Sequence, residues 1–163
     1  MNSAIAAAAK NSKNAMESNI RELVKGVLEK GYLMSLGTVD ESGVWVADVI
    51  YIFDDNFNIY WMSKLYRRHS KAISENSKVA GTITVSGQGE DNLGIQFSGV
   101  AEKIEGARYD LAVKHYERRK KPKPSETDDV LQGGSWYMLK PQKIELIYER
   151  LFGFNKQNLD LNI

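Results

Sequence analysis

Residues 32–62 read YLMSLGTVDESGVWVADVIYIFDDNFNIYWM, and this stretch decides the fold class. It contains three runs rich in β-branched and aromatic residues, at 32–39, 44–53 and 58–62. A four-residue turn at 40–43, ending in Gly43, separates the first two runs, and an Asp-Asp-Asn turn at 54–56 separates the last two. Because turns this short join antiparallel neighbours, the stretch predicts a three-stranded antiparallel meander.

An amphipathic helix is predicted before the meander. Ser18 or Asn19 is a suitable N-cap, and Gly31 is placed to end the helix. Apolar residues recur between them at helical spacing: Ile20, Leu23, Val24, Val27 and Leu28. We expect residues 1–15 to be a flexible leader, either frayed or helical, and residues 16–163 to form a single domain.

Further strands and helices follow the meander. The patterns predict helices at 67–76 and 107–116, and strands at 79–85, 93–104, 136–139 and 144–147, with Gly99 bending the longest strand. Close strand spacing favours a mainly β (α+β) fold, an antiparallel barrel with peripheral helices. Tight hairpins and the lack of a Gly-x-Gly-x-x-Gly motif after a strand argue against a parallel Rossmann sheet.

Composition excludes several classes of function. The chain has 163 residues, enough for one domain, and a net charge of +1, which does not suit a general nucleic-acid binder. It has no cysteine, so thiolate metal sites and thiol nucleophiles are excluded. No apolar run approaches the roughly 20 residues of a membrane span. We therefore expect a cytoplasmic protein with neither a membrane nor a nucleic acid as partner.

The segment 63–71, SKLYRRHSK, is the strongest candidate for a binding site. It carries four cations and no acid between the end of a strand and the first turn of a helix. A helix N-terminus already favours anions, so cations there suit a bound phosphate. A solvated basic surface explains the same pattern equally well. A second basic run at 114–123 is interpreted as a solvated helix end and loop.

Three other residue types were considered as site residues. Trp136 follows two glycines at the start of a late strand, where an indole packs over a planar ring or fills a barrel end. Gln96 alternates with Ile95 and Phe97, so it points away from them, either toward a polar partner or outward. The histidines, at 69 and 115, lack neighbours at metal-ligand spacing, so no metal site is expected.

Several segments together resemble a known family. They are MSLGTVD at 34–40, IYWMS at 59–63, HSK at 69–71, VAGTI at 79–83, GIQFSGVAE at 94–102 and WYMLKPQKI at 136–144. The chain resembles the pyridoxamine 5'-phosphate oxidase-like FMN-binding split barrels over residues 20–148. Its segments at 68–69, 79–82 and 152–154 are most similar to a bacterial branch of that superfamily.

The resemblance implies a split β-barrel of six to seven strands, a homodimer, and FMN in a groove between the two subunits. It matches four residues to the side of the FMN phosphate: Ser63, Arg68, His69 and Lys71. Lys64, which belongs to the same basic segment, is a further candidate for cofactor binding. It matches Gln96 to the strand beside the flavin ring, and Trp136 to a residue that reaches the ring from the partner subunit. We also expect aromatic residues on the strands, at Tyr51, Tyr60 and Trp61, to need cover from a second chain.

The resemblance implies an FMN-dependent oxidoreductase acting on an unidentified small molecule, with no catalytic residue assigned. A non-catalytic flavin- or haem-binding protein using the same groove is the alternative, and an interaction module with an empty groove is a third. The true oxidases carry an Arg-x-His element near the C-terminus, where this chain has FGFNK at 152–156. Vitamin B6 oxidation itself is therefore not expected.

Overall fold

The computed structural model describes residues 2–162, with side chains from residue 10 onward. Within those residues the chain forms four helices and seven strands. The helices are α1 Asn2–Lys30, α2 Arg68–Glu75, α3 Tyr109–Arg118 and α4 Glu149–Phe152. The strands are β1 Leu33–Asp40, β2 Gly43–Phe53, β3 Ile59–Lys64, β4 Lys78–Thr84, β5 Leu93–Ile104, β6 Gly134–Tyr148 and β7 Gln157–Asn158.

Six strands close into a barrel. The order is β3-β2-β1-β4-β5-β6, β6 pairs back onto β3, and β7 adds to the outer edge of β6. All of these pairings are antiparallel. The predicted antiparallel barrel with peripheral helices is therefore confirmed, including the meander that the first three strands form.

The main core fills the barrel and continues onto α1. Its fully buried members include Val24, Leu28, Met34, Leu36, Ile59, Ile83, Ile95, Leu139, Ile144 and Leu146. Tyr51 and Trp61 are 0% exposed, and Trp61 stacks on Tyr137 with ring centroids 5.6 Å apart. The expectation that these aromatics need cover from a second chain is wrong, because their own chain buries all three. Tyr51 and Trp61 lie in the barrel core, and Tyr60, which is 8% exposed, lies in a second cluster.

Helix α1 is longer than predicted. It begins at Asn2, so the N-cap expected at Ser18 or Asn19 is wrong, whereas the end before Gly31 is confirmed. Two long-range donors satisfy its C-terminal carbonyls: Tyr51 Oη donates to Leu28 O at 2.8 Å, and the Arg118 guanidinium donates to the Leu28 and Gly31 oxygens. The division into a flexible leader at 1–15 and a domain at 16–163 stays a prediction; Met1 and Ile163 lie outside the described residues.

Strand β6 is one long strand, where two short strands were predicted. Pro141 lies between the two predicted strands and pairs with Gly99, where the β5–β6 register shifts. The ladder is already irregular at that point, so the missing proline N–H leaves little unpaired. The predicted bend at Gly99 coincides with this shift.

A second, smaller cluster packs outside the barrel beneath α3. It consists of Ile52, Tyr60, Leu111, Ala112, Val130 and Trp136. His115 of α3 is 4% exposed and meets the Trp136 ring edge-on, with centroids 5.5 Å apart. This cluster fixes α3 and the start of β6 against the barrel wall.

Candidate functional site

The basic segment lies where β3 ends and α2 begins. Ser63 and Lys64 are the last residues of β3, and Arg67 is the N-cap residue of α2, with φ −66° and ψ 144°. No side chain caps this helix, whose first internal hydrogen bond runs from Lys71 N to Arg67 O at 3.0 Å. The N–H groups before Lys71 therefore have no partner within the helix, which favours an anion there.

Two serines and a histidine form a hydrogen-bonded cluster at this helix start. Ser63 Oγ lies 2.8 Å from His69 Nε2, and Ser70 Oγ donates to Ser63 Oγ at 3.1 Å. Burial, reinforced by the nearby charge of Arg67, lowers the pKa of His69 below its ordinary value. The bond between Ser63 Oγ and His69 Nε2 orients the hydroxyl whichever of the two groups donates, and the lowered pKa favours the neutral form of His69.

Lys64 and Arg67 supply positive charge beside this cluster. Lys64 Nζ donates to the carbonyl of Gln132, and the Arg67 guanidinium lies 5.4 Å from the centre of the Tyr66 ring. Within the described part of the chain, Arg67 has no carboxylate partner. Ser63, Lys64 and Arg67 line a shallow pocket of about 240 Å³ with the 131–134 loop.

Arg68 and Lys71 line a different pocket from Lys64 and Arg67. Arg68 forms a bidentate ion pair with Asp40 at the end of β1, with N–O distances of 2.7 and 2.9 Å. Arg68 and Lys71 line a groove of about 490 Å³ that Glu41 and Glu75 also line. The structure thus brings Ser63, Lys64 and His69 together, pairs Arg68 with Asp40, and places Lys71 at the wall of the second groove. Arg67 joins the first group instead.

Gln96 lies on the outer face of the barrel. It is exposed between buried Ile95 and Phe97, in agreement with the predicted alternation. Its Oε1 accepts a hydrogen bond from Lys156 Nζ at 2.7 Å, which ties the C-terminal segment to β5. A position beside a flavin ring stays a prediction for Gln96.

Trp136 is buried within its own chain. It is 0% exposed, its Nε1 donates to Ala107 O at 2.9 Å, and His115 covers its ring. The side chain offers no accessible surface to a flavin held by a partner subunit, so this arrangement argues against the expected contact. Of the alternatives that the sequence contains, Trp45 is 44% exposed and Trp61 is buried.

Neither a metal nor a membrane adds to this description. Among residues 2–162, no group of three metal-ligating side chains lies close enough together to hold an ion. No helix in that same range is both long enough and apolar enough to cross a membrane.

Solved structures of low sequence identity share this fold. The Rv2991 protein of Mycobacterium tuberculosis has a TM-score of 0.70 and 17% identity, covering 88% of this chain and 91% of that one. A candidate pyridoxamine 5'-phosphate oxidase of Listeria innocua has a TM-score of 0.62 and 13% identity, with coverages of 78% and 98%. The haem storage protein HutZ of Vibrio cholerae has a TM-score of 0.60 and 16% identity, with coverages of 76% and 91%. The molecule therefore shares its fold, an antiparallel split barrel, with these proteins.

Sequence relatives narrow this fold to a family. UPF0306 protein plu4501 of Photorhabdus laumondii is 30% identical over 100 residues, which cover 60% of this chain and 70% of that protein. UPF0306 protein YhbP of Escherichia fergusonii is 33% identical over 96 residues, covering 56% of this chain and 64% of that protein. No protein-family model matches the chain. The chain belongs to the UPF0306 family.

Proposed function

We propose that the protein binds FMN, with the phosphate at the start of α2, and that it is an oxidoreductase acting on a small molecule. One observation carries the proposal: an uncapped helix N-terminus lies beside Ser63, Lys64 and Arg67, with no carboxylate paired to Arg67 among the described residues. These donors and charges fit a dianionic phosphate. The shared fold of a candidate pyridoxamine 5'-phosphate oxidase supports the choice of FMN among phosphate-bearing cofactors.

Each residue of the pocket has a distinct task in this proposal. The Arg67 guanidinium would donate to two phosphate oxygens, and Lys64 would add a second positive charge. His69 and Ser70 hold the Ser63 hydroxyl at the pocket wall through the hydrogen bonds already described. Bound FMN would supply the electron-transfer chemistry, which the side chains of this chain do not provide. Gln96 is proposed to lie at the ring end of the ligand.

Arg67→Ala tests the phosphate pocket. Loss of a charge-assisted contact should weaken FMN binding by about 10- to 150-fold. Riboflavin, which lacks the phosphate, should bind the variant as well as the wild type, whereas general unfolding would weaken both ligands. Fluorescence titration of both flavins measures this contrast, and Lys10→Ala, at an exposed lysine of α1, is the matched control. Equal losses for FMN and riboflavin would remove Arg67 from the phosphate site.

We also propose that the protein is a homodimer joined through the outer face of the β1–β2 hairpin. This face exposes Leu33, Val39, Val44 and Val46, which are 41–74% accessible. Val39 pairs with Val44, and Val46 pairs with Gly37, so the valines form one continuous apolar surface. A surface of this kind suits an interface, and the family resemblance points to a second copy of the chain.

Val46→Glu should weaken the dimer about 10-fold or more, because each copy would bury an unpaired carboxylate. Sedimentation equilibrium measures the dissociation constant directly. Met16→Glu is the control, since Met16 is an apolar residue on α1 that is 53% exposed and lies outside the proposed interface. A wild-type protein that sediments as a monomer at micromolar concentration, with FMN still bound, would contradict the shared site.

Haem is the second candidate ligand, because HutZ and a haem-binding protein of Mycobacterium smegmatis share the fold. Both imidazoles of this chain are buried, and His69 Nε2 is already bonded to Ser63, so either would have to move to ligate iron. The absorbance spectrum of purified protein separates the ligands. Flavin gives bands at about 370 and 450 nm, and haem gives a Soret band at about 400 nm. A colourless protein that does not bind added FMN would favour the third alternative, an interaction module with an empty groove.

A further inference from the structure

Arg68 and Asp40 connect two elements that are distant in the chain. They are 28 residues apart, Arg68 being the first residue of α2 and Asp40 the last of β1. Both nitrogens on one edge of the guanidinium are used: Nε donates to Oδ2 at 2.7 Å and Nη2 donates to Oδ1 at 2.9 Å. Two-armed pairs of this kind fix orientation as well as distance.

Neighbouring groups hold this pair in place. The backbone N–H of Ser42 donates to Asp40 Oδ1 at 2.8 Å, which anchors the carboxylate in the hairpin turn. The Trp45 ring lies 4.6 Å from the guanidinium carbon, so the cation packs on an aromatic face. The side chains are partly buried, at 34% exposed for Arg68 and 18% for Asp40. The Arg68 hydrogen bond also lowers the pKa of Asp40 below its ordinary value, so the pair stays charged near neutral pH.

Helix α2 depends on contacts with the rest of the chain, and the Arg68–Asp40 pair is one of them. It has eight residues and no side-chain cap, and a helix this short is unstable without tertiary contacts. Two residues of the proposed phosphate pocket lie close to its first turn in the chain: Arg67 is its N-cap, and Ser63 lies at the end of the preceding strand. A shift of that turn would move the N–H groups and the Arg67 guanidinium together.

We propose that Arg68, Asp40 and Trp45 form a latch that holds the start of α2 against the β1–β2 hairpin and so positions the phosphate pocket. Arg68 is then a positioning residue and not a ligand of the phosphate. The inference rests on the proposed function of the pocket for its role in binding, whereas the latch itself concerns the order of α2 with or without a ligand.

If Arg68 instead binds the phosphate, the Asp40→Asn variant should change FMN affinity in the opposite direction. If Arg68 binds the phosphate, Asp40 competes with the ligand, and Asp40→Asn should raise FMN affinity. If the latch positions the pocket, Asp40→Asn and Arg68→Ala should each lower FMN affinity by about 3- to 30-fold. Asn keeps an acceptor oxygen for the Ser42 N–H, so the turn itself is preserved in the Asp40→Asn variant.

The binding experiment is a double-mutant cycle with FMN and riboflavin as the probes. We expect the double variant to bind FMN no more weakly than either single variant, because both substitutions break one contact. Riboflavin affinity should stay at the wild-type value throughout. Additive losses, or tighter FMN binding by Asp40→Asn, would overturn the latch.

Amide hydrogen exchange tests the latch without any ligand. Both latch variants should speed exchange of the α2 amides, beginning with Lys71 N–H, by similar factors, and Arg67→Ala should not. Unchanged α2 exchange in both latch variants would overturn the proposal. Faster exchange in a protein that binds no FMN would leave the latch standing while the proposed function fails.

Discussion

Gly99→Ala is expected to lower the free energy of unfolding strongly, because the added methyl group has no room. A Cβ built on Gly99 would lie 2.2 Å from the carbonyl oxygen of Lys140 and 2.9 Å from the Cα of Pro141. Both atoms belong to the backbone of β6, which cannot move without opening the β5–β6 ladder. We expect the free energy of unfolding to fall by about 3 kcal/mol or more.

Thermal unfolding measures this effect, and a loss of that size should lower Tm by about 6–12 °C. Gly26→Ala is the matched control, because nothing lies within 4 Å of a Cβ at Gly26 in α1. Alanine at that helical position should raise stability by about 0.5–1 kcal/mol. A Gly99→Ala protein that melts with the wild type would mean that β6 moves aside more easily than its pairing indicates.

The barrel could be predicted because its signals are local. Strand β5 has the predicted bounds, 93–104, since alternation and flanking loop residues mark a strand without reference to its partners. The unity of β6 could not be predicted, because it depends on where Pro141 meets Gly99 of another strand. The predicted N-cap of α1 lies too late in the chain, because the alanine-rich run at 4–9 was assigned to a separate leader, frayed or helical, although alanine favours helix.

The sequence indicates where the cations of the candidate site lie, but it does not indicate which of them form ion pairs. Four cations with no acid nearby in the chain mark the segment between β3 and α2. Two adjacent arginines at the beginning of a helix point in different directions. Whether Arg67 or Arg68 is left without a carboxylate partner depends on Asp40, which is 28 residues from Arg68. Local charge patterns do not reveal a partner at that separation.

The two readings of Trp136 illustrate the same limit. A tryptophan after two glycines suits a ligand contact or a packed barrel end, and the sequence left both open. The structure favours packing, because α3 places His115 over the ring and the Ala107 carbonyl satisfies the indole N–H. Only the tertiary position of α3 distinguishes the two.

His115 makes the stability of the protein depend on pH. Burial, followed by the charges of Arg119 and Lys121, lowers its pKa from 6.5 to about 4. Its Nδ1 has no hydrogen-bond partner among the described residues, so a proton there would be unpaired. The unfolded chain binds this proton more readily than the folded chain, so stability is fully present above about pH 6.5 and is lost as the pH falls toward 4.

The free energy of unfolding should fall by about 3 kcal/mol between pH 7.5 and pH 4. Urea unfolding at the two pH values measures this loss as a shift of the midpoint. His115→Phe keeps a ring against Trp136 and removes the titrating group, so its stability should vary much less with pH. A smaller slope of the same sign should remain, because the pKa of His69 is lowered as well. Asp40 titrates below its ordinary value of 3.8 and adds little above pH 4. A His115→Phe protein that keeps the whole slope would assign the acid sensitivity to another group, and His69→Asn would then be the variant that removes it.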